Sequence, residues 1–144
     1  MKWGSLLFAV AAIAAGTWYY QQSASTSATR QAKSPLPGGA LVLVALPTDL
    51  TEQEVMGKRG FDAVCATCHG ANAQGHDGVA PPLVHQIYET GHHGDMAFVL
   101  AAKNGVVGHH WPFGNMPPVE GVTHADMLNI VAYIRALQRE NGIN

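Results

Sequence analysis

The residues of this chain that could do chemistry begin with Cys65 and Cys68, which are followed directly by His69. Two thiols at this spacing lie about one helical turn apart, so both sulfurs can reach the two vinyl groups on one edge of a porphyrin. An imidazole directly after the second thiol can then bind the iron from one side of the ring. This pattern is the attachment signature of a c-type haem, and its single occurrence predicts one covalently bound haem.

Other uses of paired cysteines fit the sequence less well. A structural zinc site needs four ligands, and the chain has 2 cysteines, although it has 8 histidines. A redox-active dithiol does not require the histidine and would lie near a βαβ pattern, which the sequence lacks. With both cysteines assigned to the haem, no disulfide is expected.

The sequence from about residue 51 to residue 138 resembles the small monohaem class I cytochromes c of bacteria, which are anchored to the membrane or exported. The resemblance is carried, besides the haem motif, by Gly57 and Phe61, by Pro82 and Leu83, by Met116, Pro117 and Pro118, and by Val131, Ala132, Tyr133 and Ile134. It implies an all-α fold in which helices pack around one haem c. It also implies that the first and last helices cross near Gly57 and Tyr133, where a glycine permits close approach.

The resemblance also implies what the site residues do. Cys65 and Cys68 would hold the haem, and Pro82 and Leu83 would line its pocket. His69 would bind the iron on one side. The implied activity is one-electron transfer between respiratory partners outside the cytoplasmic membrane, by a carrier that is not an enzyme.

Met116 is the residue that we expect to bind the iron opposite His69. It lies in a Gly-Asn-Met-Pro-Pro segment, whose prolines fix φ and stiffen the loop. A thioether ligand raises the reduction potential, which suits an electron carrier. Two alternatives stay open: Met116 could be ordinary apolar filling, or His109 or His110 could bind the iron instead.

The other histidines are more numerous than an electron carrier requires. Besides His69 they are His76, His85, His92, His93, His109, His110 and His124. The two adjacent pairs could approach one another and bind copper or zinc. From the sequence alone we prefer the ordinary interpretation, in which these side chains cap turns, contact haem carboxylates or lie in solvent. The alternatives to a carrier are a haem enzyme subunit or gas sensor with an exchangeable sixth ligand, and a copper-handling cytochrome.

The charge distribution excludes one class of partner. The net charge of the chain is −2, but the part from Ala40 onward contains five basic side chains and ten acidic ones. Nucleic-acid binding needs a basic face. We therefore expect redox proteins as partners and no nucleic acid.

The chain divides by composition into three parts. Residues 1–20 contain an uncharged run from residue 3 that ends in Trp18, Tyr19 and Tyr20, which predicts a membrane anchor of about 20 residues. A cleaved signal peptide is the alternative. Residues 21–49 have the composition of a flexible tether, and residues 50–144 form the haem domain. A retained anchor would hold that domain on the periplasmic side of the bacterial cytoplasmic membrane, whereas cleavage would release a soluble periplasmic protein.

Three helices are predicted within the domain. Thr51 and Glu54 have the spacing of a capping box and begin a helix that reaches Val64. A second helix is predicted over residues 95–103, where apolar residues recur at helical spacing. Thr123 and Asp126 repeat the capping pattern and begin the third helix, which extends to residue 139.

Overall fold

Residues 38–144 are the part of the chain that the computed structural model describes. They form the helices α1 (Glu52–Val64), α2 (Ala66–His69), α3 (Asp95–Asn104) and α4 (His124–Glu140), with one 3-10 turn at Gln86–Tyr88. Within this range there is no β-strand, and only isolated bridges occur. The predicted all-α class is therefore confirmed for the described residues.

The N-terminal predictions fall mostly on residues that are not described. The predicted anchor or signal (1–20) and the greater part of the predicted tether (21–49) lie outside residues 38–144. None of the helices in the described range combines the length and apolar character that crossing a bilayer requires.

The described end of the predicted tether is hydrogen-bonded to the rest of the domain. The amides of Leu41 and Val42 donate to the carbonyl oxygen of Gln74 at 3.1 and 3.2 Å. Farther along, the Asn141 side chain accepts from the amide of Ala45 and donates to its carbonyl oxygen, both at 2.9 Å. Residues 38–49 thus lie along the domain without forming a helix or strand.

Helix α1 begins as its capping box predicts. The Thr51 hydroxyl accepts from the amide of Glu54 at 3.3 Å, and the Glu54 carboxylate accepts from the amide of Thr51 at 2.8 Å. These two bonds satisfy backbone donors that the first turn leaves without helical partners. The helix then carries Phe61, which is fully buried, into the core.

Helix α4 supplies more of the buried core than any other helix and also begins at a capping box, formed by Thr123 and Asp126. Its buried apolar residues are Met127, Ile130, Val131, Tyr133, Ile134, Ala136 and Leu137. Both α1 and α3 pack against this face, and α1 does so more extensively. The helix is therefore the element on which the others are arranged, as its apolar periodicity indicates.

The crossing of α1 and α4 is built on direct contact between their backbones. A Cβ atom at Gly57 would lie 1.9 Å from the carbonyl oxygen of Asn129 and 3.0 Å from the Cβ of Tyr133. Next to this point the rings of Phe61 and Tyr133 pack edge to face, with centroids 5.6 Å apart. The predicted crossing near Gly57 and Tyr133 is confirmed. The neighbouring Gly60, for which no role was predicted, faces Ile130 in the same interface.

A buried arginine joins α4 to the segment before α3. Arg135 donates from Nε to the Asp95 carboxylate at 2.8 Å, and from its two terminal nitrogens to the carbonyl oxygens of Tyr88 and His93, both at 2.6 Å. The guanidinium also bonds to the Gln138 side chain. A buried charge is tolerated when its donors are satisfied in this way. Arg135 thereby fixes the turn that leads into α3.

Candidate functional site

Cys65, Cys68 and His69 lie on one helical turn. The amides of Cys68 and His69 donate to the carbonyl oxygen of Cys65 at 3.1 and 2.9 Å. Cys65 ends α1 and precedes α2, which was not predicted as a separate helix. The spacing therefore gives the single turn that was expected. The Cys65 side chain is half-buried, whereas that of Cys68 is exposed.

The surroundings of Cys65 disfavour a charged sulfur. Burial, with a smaller effect from the adjacent Cys68, raises the pKa of the Cys65 thiol to about 11. A thiolate ligand for a metal would need a lowered pKa instead. A thioether bond leaves the sulfur neutral, so burial at this position does not oppose it.

His69 is held so that one ring nitrogen is free. The residue is 8% exposed, and its Nδ1 lies 2.8 Å from the carbonyl oxygen of Pro81. Because a carbonyl oxygen only accepts, Nδ1 carries the proton and Nε2 keeps its lone pair. Imidazoles that bind metals are oriented by such a bond in many proteins. The geometry presents a fixed, neutral nitrogen ligand.

The pKa of His69 supports the same protonation state. Burial lowers it most, the bond to the Pro81 carbonyl opposes this effect, and the charge of His76 lowers it further. The net direction is downward from the ordinary value of 6.5. The neutral imidazole, which is the form that ligates a metal, is therefore favoured at neutral pH.

The loop after His69 places Pro81 and its neighbours beside that side chain. The amide of Gly75 donates to the His69 carbonyl oxygen at 2.7 Å. Gly75 has a φ of +75°, and a Cβ there would lie 2.6 Å from the nitrogen of Pro82, so a side chain would displace the proline segment. The amide of Leu83 donates to Ala73 at 2.8 Å.

Pro82 and Leu83, which were predicted to line a haem pocket, are both buried in this segment. The carbonyl oxygen that bonds to the His69 ring belongs to Pro81, for which the sequence predicted no role. The signal that could have found it is the Pro81-Pro82 pair, which stiffens the chain soon after the histidine.

Met116 lies in the loop between α3 and α4 and is half-buried. Its backbone pairs with that of Val106, with amide-to-carbonyl distances of 2.9 Å in both directions. The Asn115 side chain also accepts from the amide of Gly108 at 2.9 Å. These bonds close the loop, and together with Pro117 they limit the positions that the Met116 side chain can reach.

Trp111, in the same loop, carries a buried donor that has no partner. Its Nε1 atom forms no hydrogen bond within the described part of the chain. Burial raises the pKa of the nearby Tyr88 hydroxyl, and the indole N–H lowers it by a smaller amount. The indole and the hydroxyl nevertheless do not form a hydrogen bond of good geometry. The ring packs against His85 at a centroid distance of 5.1 Å. A haem carboxylate is an acceptor of the kind that such an orphaned donor requires.

The two histidine pairs, His92/His93 and His109/His110, lie next to each other in the structure. The interpretation preferred from the sequence was that these side chains cap turns, contact haem carboxylates or lie in solvent. The ring of His110 lies 5.5 Å from that of His92 and 5.2 Å from that of His93, between centroids. The ring of His109 lies 4.1 Å from that of His110. Desolvation, followed by the charges of these three neighbours, lowers the pKa of His110.

The chemistry of these residues fits a covalently attached haem. Two cysteines precede an oriented neutral imidazole. Pro82 and Leu83 supply buried apolar surface, and Trp111 supplies a donor that has no partner among residues 38–144. Each feature corresponds to a part of the group: its vinyl edge, its iron, its apolar face and its carboxylates.

A family model described as Cytochrome c matches residues 54–138, which are more than half of the chain. No curated protein matches the sequence.

Proposed function

This chain belongs to the cytochrome c family, whose members bind haem c covalently and carry electrons, and we propose that it is a one-electron carrier whose iron is held by His69 and Met116. When bound, the haem supplies the one-electron chemistry, with its iron changing between two oxidation states. The protein would supply the points of attachment at Cys65 and Cys68, the iron ligands His69 and Met116, and an apolar environment. The proposed carrier has no catalytic residues of its own.

The geometry of His69 is the observation that carries the proposal. Its Nδ1–H is bound to the Pro81 carbonyl at 2.8 Å, so Nε2 is the nitrogen proposed to bind iron. The bond fixes the orientation of the ring and increases the electron donation of the imidazole. Cys65 and Cys68, on the same helical turn, are the proposed points of covalent attachment.

Met116 is the proposed ligand on the opposite side. The loop that carries it is closed by the Val106 pairing, so a weak thioether ligand would not have to be ordered when it binds. His109 and His110 are the competing ligands, but the rings of this pair pack against His92 and His93. That packing favours Met116 over a second imidazole.

Pro82 and Leu83 are proposed to line the haem pocket. Both are buried and apolar, so they would exclude water and keep the surroundings of the iron at a low dielectric. Such surroundings destabilise the more highly charged oxidised haem and raise the reduction potential. This direction agrees with the effect of a thioether ligand.

The proposed setting is the periplasmic side of a bacterial cytoplasmic membrane, with respiratory redox proteins as partners. Support comes from the uncharged run over residues 3–20 and from the excess of acidic side chains beyond Ala40. The acidic surface would favour partners with a basic docking face. Retention by the N-terminal segment would keep the carrier close to membrane-bound partners, whereas a cleaved signal would leave it soluble.

The experiment that tests the proposed function is a redox titration of the purified holoprotein, followed by exposure of the reduced form to carbon monoxide. A carrier with two protein ligands should titrate reversibly as one electron and should not bind carbon monoxide. Rapid binding with a high-spin spectrum would contradict the proposal and would favour an enzyme or gas sensor with an exchangeable sixth ligand.

A further inference from the structure

Four imidazoles from two separate segments form a cluster on the surface of the domain. His92 and His93 lie on the turn before α3, and His109 and His110 lie in the loop that follows it. The rings of His92 and His93 are 4.6 Å apart between centroids, and His110 lies over both of them. This grouping depends on the fold, since 16 positions separate His93 from His109 in the chain.

Three of these side chains bring their ligand atoms together. One ring nitrogen from each of His92, His93 and His110 lies within 4.8 Å of the other two. Nitrogen ligands about 2.0–2.1 Å from a tetrahedral metal ion lie roughly 3.3 Å from one another. His92 and His110 are exposed, so small rotations of their side chains can close the difference without disturbing the core.

His93 is the fixed member of the group. Its Nδ1 donates to the carbonyl oxygen of Ile87 at 2.6 Å, which leaves Nε2 available as a ligand. Its amide donates to the carbonyl oxygen of Glu89 at 2.8 Å, and its own carbonyl oxygen accepts from the Arg135 guanidinium at 2.6 Å. Histidines that bind metals are commonly oriented by a carbonyl acceptor on the second nitrogen, as His93 is here.

We propose that His92, His93 and His110 bind one divalent late transition-metal ion, Cu²⁺ or Zn²⁺. Imidazole nitrogen is a preferred ligand of both ions, whereas magnesium and calcium prefer oxygen. Three histidines leave a further coordination position for water or another ligand. The site uses none of the residues assigned to the haem.

The ion would link the turn before α3 to the loop that follows α3. His110 belongs to the loop that carries Met116, and this loop is tied internally by the bond from Gly108 to Asn115. His93 belongs to a turn that Arg135 holds against α4. A bound ion would therefore restrain the loop relative to the helical core, and it should stabilise the folded state by an amount that grows with the logarithm of the free-ion concentration divided by the Kd.

The test is titration of the chelator-treated holoprotein with Cu²⁺ and, separately, with Zn²⁺, by calorimetry and by metal analysis after desalting. We expect one ion per chain in at least one of the two titrations, and a raised midpoint of thermal unfolding when that ion is bound. His92→Ala and His110→Ala alter exposed side chains, and each should lower the affinity at least about tenfold, since loss of even an outer-shell partner costs 10–100-fold. His124→Ala, which alters an exposed histidine on α4 outside the cluster, is the matched control and should bind as the parent does.

The two titrations identify the ion, and binding of either one supports the site. Nitrogen hyperfine structure in the electron paramagnetic resonance spectrum of the Cu²⁺ form should weaken in His110→Ala and persist in His124→Ala. The proposal is overturned if the parent binds neither ion stoichiometrically, or if the control loses as much affinity as the two cluster variants. It is also overturned if both cluster variants, with unchanged haem spectra, bind as tightly as the parent.

Discussion

A Cβ atom on Gly57 would lie 1.9 Å from the carbonyl oxygen of Asn129, which is far inside van der Waals contact. The backbones of α1 and α4 therefore touch at this point, and no residue with a side chain fits without moving one helix. Because Phe61 and Tyr133 pack edge to face beside the contact, such a movement would also disturb the two largest of the fully buried side chains in the described domain. The domain depends on this glycine for packing rather than for backbone flexibility.

Replacing Gly57 with alanine should lower the free energy of unfolding. Overpacking typically costs about 1–3 kcal/mol, and the gain in helix propensity, about 1 kcal/mol, would offset only part of a clash with backbone atoms. Denaturant unfolding of the holoprotein measures the difference. Gly91→Ala is the matched control, since a Cβ there meets no atom within 4 Å. Equal midpoints for parent and Gly57→Ala would contradict the helix crossing.

Glu54 should make folding dependent on pH. Burial alone would raise its pKa, but the bonds from Thr51 and the charge of Arg139 together lower it below the ordinary value of 4.5. A carboxyl group whose pKa is lowered by folding stabilises the protein at every pH above its unfolded-state pKa. This stabilisation disappears as the pH falls through the folded-state pKa. Glu54→Gln should therefore cost about 1 kcal/mol at neutral pH, and it should cost progressively less below pH 4.5.

The measurement is the free energy of unfolding of parent and variant across the acid range. Glu52→Gln, in the same first turn but exposed, serves as the control for the loss of one negative charge at this helix end. A constant gap between parent and Glu54→Gln from neutral to acid pH would mean that the charge of Glu54 contributes nothing to folding.

Short sequence patterns were enough to predict much of the fold. Both capping boxes could be read directly, because each is formed by residues three positions apart. The pattern of Cys65, Cys68 and His69 was equally local, since a single helical turn sets its geometry. Gly57 could also be interpreted, because a glycine inside a helix has a cost that close packing explains.

Contacts between distant segments were not predictable in the same way. The bond from His69 to Pro81 depends on the path of a glycine-containing loop, and the buried Arg135 finds acceptors 40 or more positions away. The meeting of His93 with His110 likewise requires the turn and the loop at the two ends of α3 to lie side by side. No periodic pattern encodes such contacts. The position of Arg135 among apolar residues of α4 nonetheless indicated a buried side chain that forms several hydrogen bonds.

The N-terminal segment should determine where the protein is found. The uncharged run over residues 3–20 ends in three aromatic residues, which predicts retention in the membrane. Replacing residues 1–20 with a cleavable signal should release a soluble holoprotein with an unchanged haem spectrum. Fractionation and N-terminal sequencing of the native protein provide the comparison. A native protein that is already soluble, with its N-terminus near Ser25, would contradict the anchor.

The most direct test of His69 and Met116 as the iron ligands is the absorption spectrum of the oxidised holoprotein with Met116 replaced by alanine. Met96→Ala, which removes a methionine that is 51% exposed on α3, is the matched control. The parent and the control should show the weak long-wavelength charge-transfer band of a sulfur–iron(III) bond. Met116→Ala should keep its covalent haem, lose that band, bind carbon monoxide when reduced and have a lower reduction potential. Retention of the band in Met116→Ala, or its absence from the parent, would contradict ligation by His69 and Met116, and an absent band would direct attention to His109 and His110.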